Sequence, residues 1–157
     1  MKAVILAAGV GSRISEITKD IPKSMIKIND KYIFQLIIDG LISAGIKDII
    51  FIIGYKYKLL KAEILKELSD YDLNIKFVIN KDYSTTNTMY SLWLAKSHLR
   101  GPFISLHGDL IFNNKMLHDF INSRKKNSVL VDKSFPMDWD DAMKVIAHSN
   151  ELKYMSK

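Results

Sequence analysis

A chain of 157 residues with 48% hydrophobic and 25% charged residues has enough apolar material for a packed core, which excludes a disordered polyelectrolyte. It contains no cysteine, so disulfides, thiolate zinc sites and a cysteine nucleophile are excluded and stability rests on packing. The net charge of +6 is carried mainly by lysines spread along the chain, with arginine only at Arg13, Arg100 and Arg124; nucleic-acid faces concentrate arginine forks, so this pattern speaks for a mildly positive field that draws small anions rather than for nucleic acid.

Apolar runs such as Ile49 to Ile53 are far shorter than the roughly 20 residues that cross a bilayer. The N-terminus shows no basic region followed by a signal-type apolar segment. The expectation is a soluble cytoplasmic protein with no membrane role.

Lys2 to Ala7 is an aliphatic, β-branched run that ends at Ala8-Gly9, a buried strand entering a turn. Tyr32 to Ala44 sets Ile33, Leu36, Ile37, Gly40 and Leu41 at helical spacing, with Gly45 where a left-handed residue would end the helix. Asp48 to Ile53 reads as a second strand, Lys58 to Leu68 as a helix, Asn74 to Ile79 as a strand, Thr88 to Leu99 as a helix and Pro102 to Leu106 as a strand. This βαβ rhythm predicts a mostly parallel central sheet between helical layers, a three-layer α/β/α arrangement. Asn113-Asn114 caps a further helix to about Ser123, a strand follows at Ser128 to Val131, and Met143 to Ala147 with Glu151 to Tyr154 form a hairpin. No repeat, low-complexity segment or linker divides the chain, so residues 1–157 read as one domain.

The most informative stretch is Leu6-Ala7-Ala8-Gly9-Val10-Gly11-Ser12-Arg13, directly after the first strand, with Pro22-Lys23-Ser24-Met25 downstream. Small residues there let the backbone approach a ligand and aim N–H groups at phosphate oxygens. Ser12 adds a hydroxyl and Arg13 a forked cation. A plain turn is the alternative reading of two glycines, and a solvated surface is the alternative for Lys23. The dinucleotide fingerprint fails because Ile14 stands where a third glycine is required, and Gly11-Ser12-Arg13 does not complete a Walker A loop.

With Pro22-Lys23 included, Met1 to Met25 resembles the signature of the sugar-nucleotide and phosphocholine nucleotidyltransferase family: Leu-Ala-x-Gly-x-Gly-x-Arg, a spacer, then Pro-Lys. The resemblance implies a Rossmann-like fold in which Leu6, Ala8, Gly9, Gly11 and Ser12 wrap a nucleotide while Arg13 and Lys23 face its phosphates. Asn80 to Leu92 is rich in donors and acceptors and suits a base edge; its plainer reading is a helix cap from Thr86 or Asn87. Its Asn87-Thr88-x-Tyr90-Ser91-Leu92 form resembles the phosphocholine cytidylyltransferase branch, which implies CTP and nucleotide contacts from Asn80, Tyr83, Asn87 and Thr88, with Tyr90 near the substrate.

His107-Gly108-Asp109 follows a strand end, where a carboxylate can hold Mg²⁺ against triphosphate oxygens or simply cap a turn. The resemblance assigns Asp109 to the metal; His107 reads as packing or a minor contact. Asp138, Trp139 and Asp141 lie in an acidic stretch that could meet a cationic head group, or else form a solvated loop. The run Asp140 to Val145 resembles the start of the substrate pocket in the choline-phosphate enzymes.

The family likeness therefore implies transfer of CMP from CTP to a small phosphorylated, phosphocholine-like substrate, with pyrophosphate released. Two other expectations stand beside it: a sugar-1-phosphate nucleotidyltransferase, and a catalytically silent nucleotide-binding chain. Family members are usually longer, and the likeness places their second metal-binding carboxylate or amide beyond residue 157. An incomplete sheet would leave an exposed edge that favours association with another copy.

Overall fold

The computed structural model describes residues 1–11, 20–123, 126–134 and 143–156. The chain divides into two compact units, Met1–Asp119 and Phe120–Lys157. The first holds a four-stranded sheet of β1 (Lys2–Ala7), β4 (Asp48–Ile53), β5 (Asn74–Ile79) and β6 (Phe103–His107), in the order β5-β4-β1-β6 with every pair parallel. A small antiparallel ladder, β2 (Lys27–Ile28) with β3 (Lys31–Tyr32), precedes the first helix. Helices α1 (Ile33–Ser43) and α2 (Tyr57–Glu67) connect β1 to β4 and β4 to β5. Helix α3 (Thr88–Leu94) carries the chain from β5 back past β4 and β1 to β6.

Because parallel crossovers are right-handed, the first two steps put α1 and α2 on one face and the reversed third step puts α3 on the other. Side chains agree with this. Val4, Leu6, Ile50, Ile52 and Val78 pack with Leu92, Ala95 and Leu99 on the α3 side. On the opposite face the ammonium of Lys61, from α2, stands 5.3 Å from the centre of the Phe77 ring, which stacks on Phe51 at 5.8 Å. Ile5, Phe51, Ile52 and Ile53 are fully buried. Each such side chain contributes about 1.5–3 kcal/mol, so β1 and β4 form the stable centre on which the site is mounted. The result is the α/β/α arrangement read from the sequence.

Local chemistry explains where α1 starts and stops. The Tyr32 N–H donates to Gln35 Oε1 at 2.9 Å. At the other end Gly45, at φ 74°, donates to Ile42 O at 2.9 Å while the Ile46 N–H donates to Leu41 O at 2.9 Å. That is the Schellman pairing, which uses up the last carbonyls and sends the chain into β4.

Two expectations need correction. The helix expected over Thr88 to Leu99 ends at Leu94, where the Ala95 N–H bonds back only three residues, to Leu92 O at 3.1 Å, and the chain tightens into a 3₁₀ turn at Lys96–His98. The strand expected at Ser128 to Val131 does not form: the stretch has no ladder partner among the described residues, and Val129, Leu130 and Val131 stay 48%, 51% and 41% exposed. Helix α4 (Asn114–Asn122) begins in the first unit, where Leu117 is buried. In the second unit β7 (Lys144–His148) and β8 (Glu151–Ser156) form the expected hairpin, closed by Ser149 and Asn150 at φ 50° and 63°; two left-handed residues make the turn that suits strand twist. No helix among the described residues is long and apolar enough to cross a membrane.

Candidate functional site

β1 and β6 are neighbours, yet their connections leave in opposite directions, toward β4 from one and from β5 into the other. Beyond the carboxyl ends of such strands a crevice opens at the point where the strand order reverses. A cleft of about 250 Å³ lies there. Leu6, Ala7 and Ala8 from β1 and its exit meet His107, Gly108 and Asp109 from the end of β6 and its exit, and the rest of the lining comes from Gly9, Gly11, Lys23 and Ser24 and from the loop before α3 with that helix's first turn.

The exit of β1 is held from both neighbouring strands. The Gly108 N–H donates to Leu6 O at 2.9 Å, and the Tyr55 N–H donates to Ala8 O at 3.0 Å. Close approach sets the residue type at Gly54: a Cβ there would stand 2.6 Å from Tyr83 Cβ and 2.8 Å from Ala8 O. Gly11 adopts φ 79°, a left-handed conformation that L side chains resist. Gly9 and Gly11 mark the ligand loop in the sequence, whereas Gly54, which brings Tyr83 against that loop, carries no such mark.

The loop between β5 and α3 is organised by Asn80, which is 1% exposed. Its amide donates to Thr86 Oγ1 at 3.0 Å and Ser91 Oγ at 2.9 Å, and its Oδ1 accepts from the Asp82 N–H at 3.0 Å. Asn87 caps α3, its Oδ1 accepting from the Tyr90 N–H at 3.0 Å, and it also lines the cleft with Thr88 and Tyr83. Capping and cleft-lining thus coexist in one side chain.

Charge enters through one pair. Lys23 Nζ lies 3.2 Å from Asp109 Oδ2, the two side chains being 25% and 43% exposed. A pair this open adds little stability, typically about 0–1 kcal/mol, so it is available to a ligand. Asp109 is the one carboxylate among the described lining residues, and among the described residues no three His, Asp or Glu side chains gather into a metal-binding group. Mg²⁺ commonly takes one or two protein carboxylates and completes its shell with phosphate oxygens and water, so a lone cleft aspartate suits a metal that arrives with a nucleotide.

The structure brings Leu6, Ala8, Gly9, Gly11, Lys23, Tyr83, Asn87, Thr88 and Asp109 to one cleft. Asn80 does not line it: the burial that orders the loop also turns its amide inward. Tyr90 is likewise outside the lining, with its ring stacked on Trp93 at 5.6 Å. Ser12, Arg13, Asp138, Trp139 and Asp141 lie outside the described residues. Ser24, Thr86 and Ser91 line the cleft unforeseen; for Thr86 and Ser91 the signal was the polar run from Asn80, and for Ser24 its place beside Lys23.

A doubly wound parallel sheet with a glycine loop, a lysine and an aspartate at its switch point defines an α/β protein whose cleft is chemically suited to a phosphate-bearing ligand. Comparison with known families narrows the class: the nucleotidyl transferase family profile matches residues 2–142, and the chain belongs to that family. It is 34% identical over 145 residues to the CTP:phosphoglutamine cytidylyltransferase of Campylobacter jejuni, covering 88% of this chain and 55% of that protein. It is 35% identical over 126 residues to the choline-phosphate cytidylyltransferase of Streptococcus pneumoniae, covering 78% of this chain and 51% of that protein. A solved structure of CTP:phosphocholine cytidylyltransferase from Streptococcus pneumoniae superposes with a TM-score of 0.60 at 34% identity, over 73% of this chain and 49% of that one. The chain thus spans about half the length of the curated relatives it matches.

Proposed function

We propose that this chain supplies the nucleotide-binding part of a cytidylyltransferase that moves CMP from CTP onto a small phosphorylated, phosphocholine-like acceptor. The observation that carries the reading is the convergence of the glycine loop, Lys23 and Asp109 on one cleft at the switch point, although Lys23 and Asp109 stand 86 residues apart in sequence. The cytidylyltransferase relatives named above support the choice of CTP and of a phosphorylated acceptor.

In the reaction, an acceptor phosphate oxygen attacks the α-phosphorus of CTP; the new O–P bond forms as the bond to the β-phosphate oxygen breaks, and pyrophosphate leaves. A phosphate monoester has its second pKa near 6, so the nucleophile is already ionised at neutral pH and the cleft needs no general base. What the chain must provide is alignment and charge neutralisation. Small residues at Ala8, Gly9 and Gly11 admit the triphosphate, and Lys23 turns from Asp109 to the phosphate oxygens. Tyr83, Asn87 and Thr88 face the nucleoside. Arg13 is a second cation for the phosphates by its place in the motif. Asp109 would hold Mg²⁺, which when bound supplies further neutralisation of phosphate charge.

The test is pyrophosphate release with Mg²⁺ and each of the four NTPs, against phosphocholine and a set of sugar 1-phosphates. Turnover with CTP and phosphocholine that Lys23→Ala and Asp109→Ala each lower by about 10²-fold or more is the expected result. Turnover confined to sugar 1-phosphates would transfer the chain to the sugar-nucleotide branch. Nucleotide binding without release would leave it a binding chain without the reaction.

A further inference from the structure

We propose that the hydroxyl of Ser24 is a ligand contact in this cleft, donating a hydrogen bond to a phosphate oxygen of the bound nucleoside triphosphate beside Lys23; this rests on the nucleotide reading above. Ser24 lies in a short 3₁₀ turn, Lys23–Met25, which closes through the Met25 N–H to Pro22 O at 2.8 Å and the Ile26 N–H to Lys23 O at 3.0 Å. On one side of it Lys23 reaches into the cleft, and on the other Met25 is buried.

The decisive feature is an unmade bond. Ser24 is 2% exposed, and its Oγ is buried with no hydrogen-bond partner among the described residues. The other buried polar residues described, Asn80 and Ser91, are bonded to each other at 2.9 Å. A buried hydroxyl has given up water, and native structures nearly always return a partner for it. Ser24 lines the cleft, so the partner it lacks in the protein can come from what the cleft binds. A turn about its one side-chain torsion moves the oxygen between three staggered positions, which lets the hydroxyl redirect when a ligand arrives.

The neighbours identify which part of the ligand is met. Lys23 is the neighbour of Ser24 in the same 3₁₀ turn, and Gly9 and Gly11 line the same cleft; together they offer space and positive charge. The groups suited to a base edge, Tyr83, Asn87 and Thr88, come from the separate loop between β5 and α3 and the first residue of that helix. Asp109 is close to Lys23 yet does not bond Ser24, so the hydroxyl keeps its proton for an anionic oxygen.

The experiment measures binding of CTP and of inorganic tripolyphosphate, each with Mg²⁺, to the 157-residue chain and to its Ser24→Ala, Ser24→Cys and Lys23→Ala variants, with the Tm of each. Ser24→Ala deletes an unsatisfied group, so its Tm should equal or exceed that of the parent. Its Kd for both CTP and tripolyphosphate should rise about tenfold, the usual size of a hydrogen bond to a charged acceptor. Ser24→Cys keeps the shape but is a weak donor, and it should bind like Ser24→Ala. If both Ser24 variants bind CTP as the parent does while Lys23→Ala does not, Ser24 is only a packing residue and the nucleotide reading survives. A loss for CTP but not tripolyphosphate would put the contact on the nucleoside and overturn the phosphate assignment. A parent chain that binds neither probe would overturn both readings together.

Discussion

The interior of the sheet and the cleft at its carboxyl edge are built from adjoining residues of the same strands, and they follow opposite rules. Along β1 and β4 the side chains from Ala3 to Ile5 and from Ile49 to Ile53 are almost wholly buried, and each strand sits between two parallel neighbours. Two residues beyond β1 Gly9 is exposed, and at the same edge of the sheet Lys23 and Asp109 form a half-open ion pair and Ser24 keeps a buried hydroxyl without a partner among the described residues. The interior is complete in itself, whereas the cleft is left chemically unfinished. Stability and ligand binding should therefore separate by position, even between residues a few ångströms of chain apart.

The sharpest way to break that separation is to damage the interior alone. Phe51→Ala removes a fully buried ring stacked on Phe77 and should lower the unfolding free energy by about 3–5 kcal/mol, read by urea titration, with the CTP affinity of the molecules that stay folded unchanged. Next in size comes damage to the cleft alone. Lys23→Ala should lower turnover by about 10²–10³-fold, equivalent to about 2.7–4 kcal/mol of transition-state stabilisation, while urea titration shifts by no more than about 1 kcal/mol because the pair it breaks is open to solvent.

Asn80→Ala probes the boundary. It removes the amide that joins Thr86, Ser91 and the Asp82 N–H, and should cost about 1–3 kcal/mol of stability. The same change should weaken CTP binding, since the loop it orders presents Tyr83, Asn87 and Thr88 to the cleft. A variant that lost affinity with full stability would make Asn80 a direct ligand contact instead. The smallest effect is expected at Lys115, whose pair with Asp119 at 2.6 Å is 82% and 66% exposed; Lys115→Ala should change stability by less than about 0.5 kcal/mol and leave binding untouched.

How much of this was legible in the sequence follows the same division. The strands Lys2–Ala7, Asp48–Ile53 and Asn74–Ile79 were read to the residue, because a short aliphatic run bounded by turn residues has few alternatives once it alternates with helical periodicity. The Ser128 to Val131 run has the same composition but found no partner strand, and β propensity without a ladder to join does not make a strand. The β2–β3 ladder went unread although Asn29-Asp30, at φ 47° and 65°, is the turn type that closes a tight hairpin; two-residue strands are too short for alternation to show.

In the site, the glycine loop and Asp109 are legible because a strand end fixes where a loop must go, and Lys23 through the Pro-Lys motif, whereas the pairing of Lys23 with Asp109 is visible only in the fold. Ser24 and Gly54 are not legible. One is defined by a bond it fails to make, the other by the 2.6 Å between an absent Cβ and Tyr83, and neither is a property of residue type. Asn80 was legible as a polar side chain near the site, but whether an amide faces inward or outward is settled by packing.

The most direct measurement is a ¹⁵N–¹H correlation titration of the 157-residue chain with CTP and Mg²⁺. Shifts confined to the cleft are expected: the amides of Ala8, Gly9, Gly11, Ser24, Asn87, Thr88 and Asp109, together with the Lys23 side chain. The interior of β4 should stay still. Shifts centred on the β7–β8 hairpin, or none at millimolar CTP, would contradict this expectation, because the unfinished chemistry at the end of β1 and β6 would then have no nucleotide to complete it.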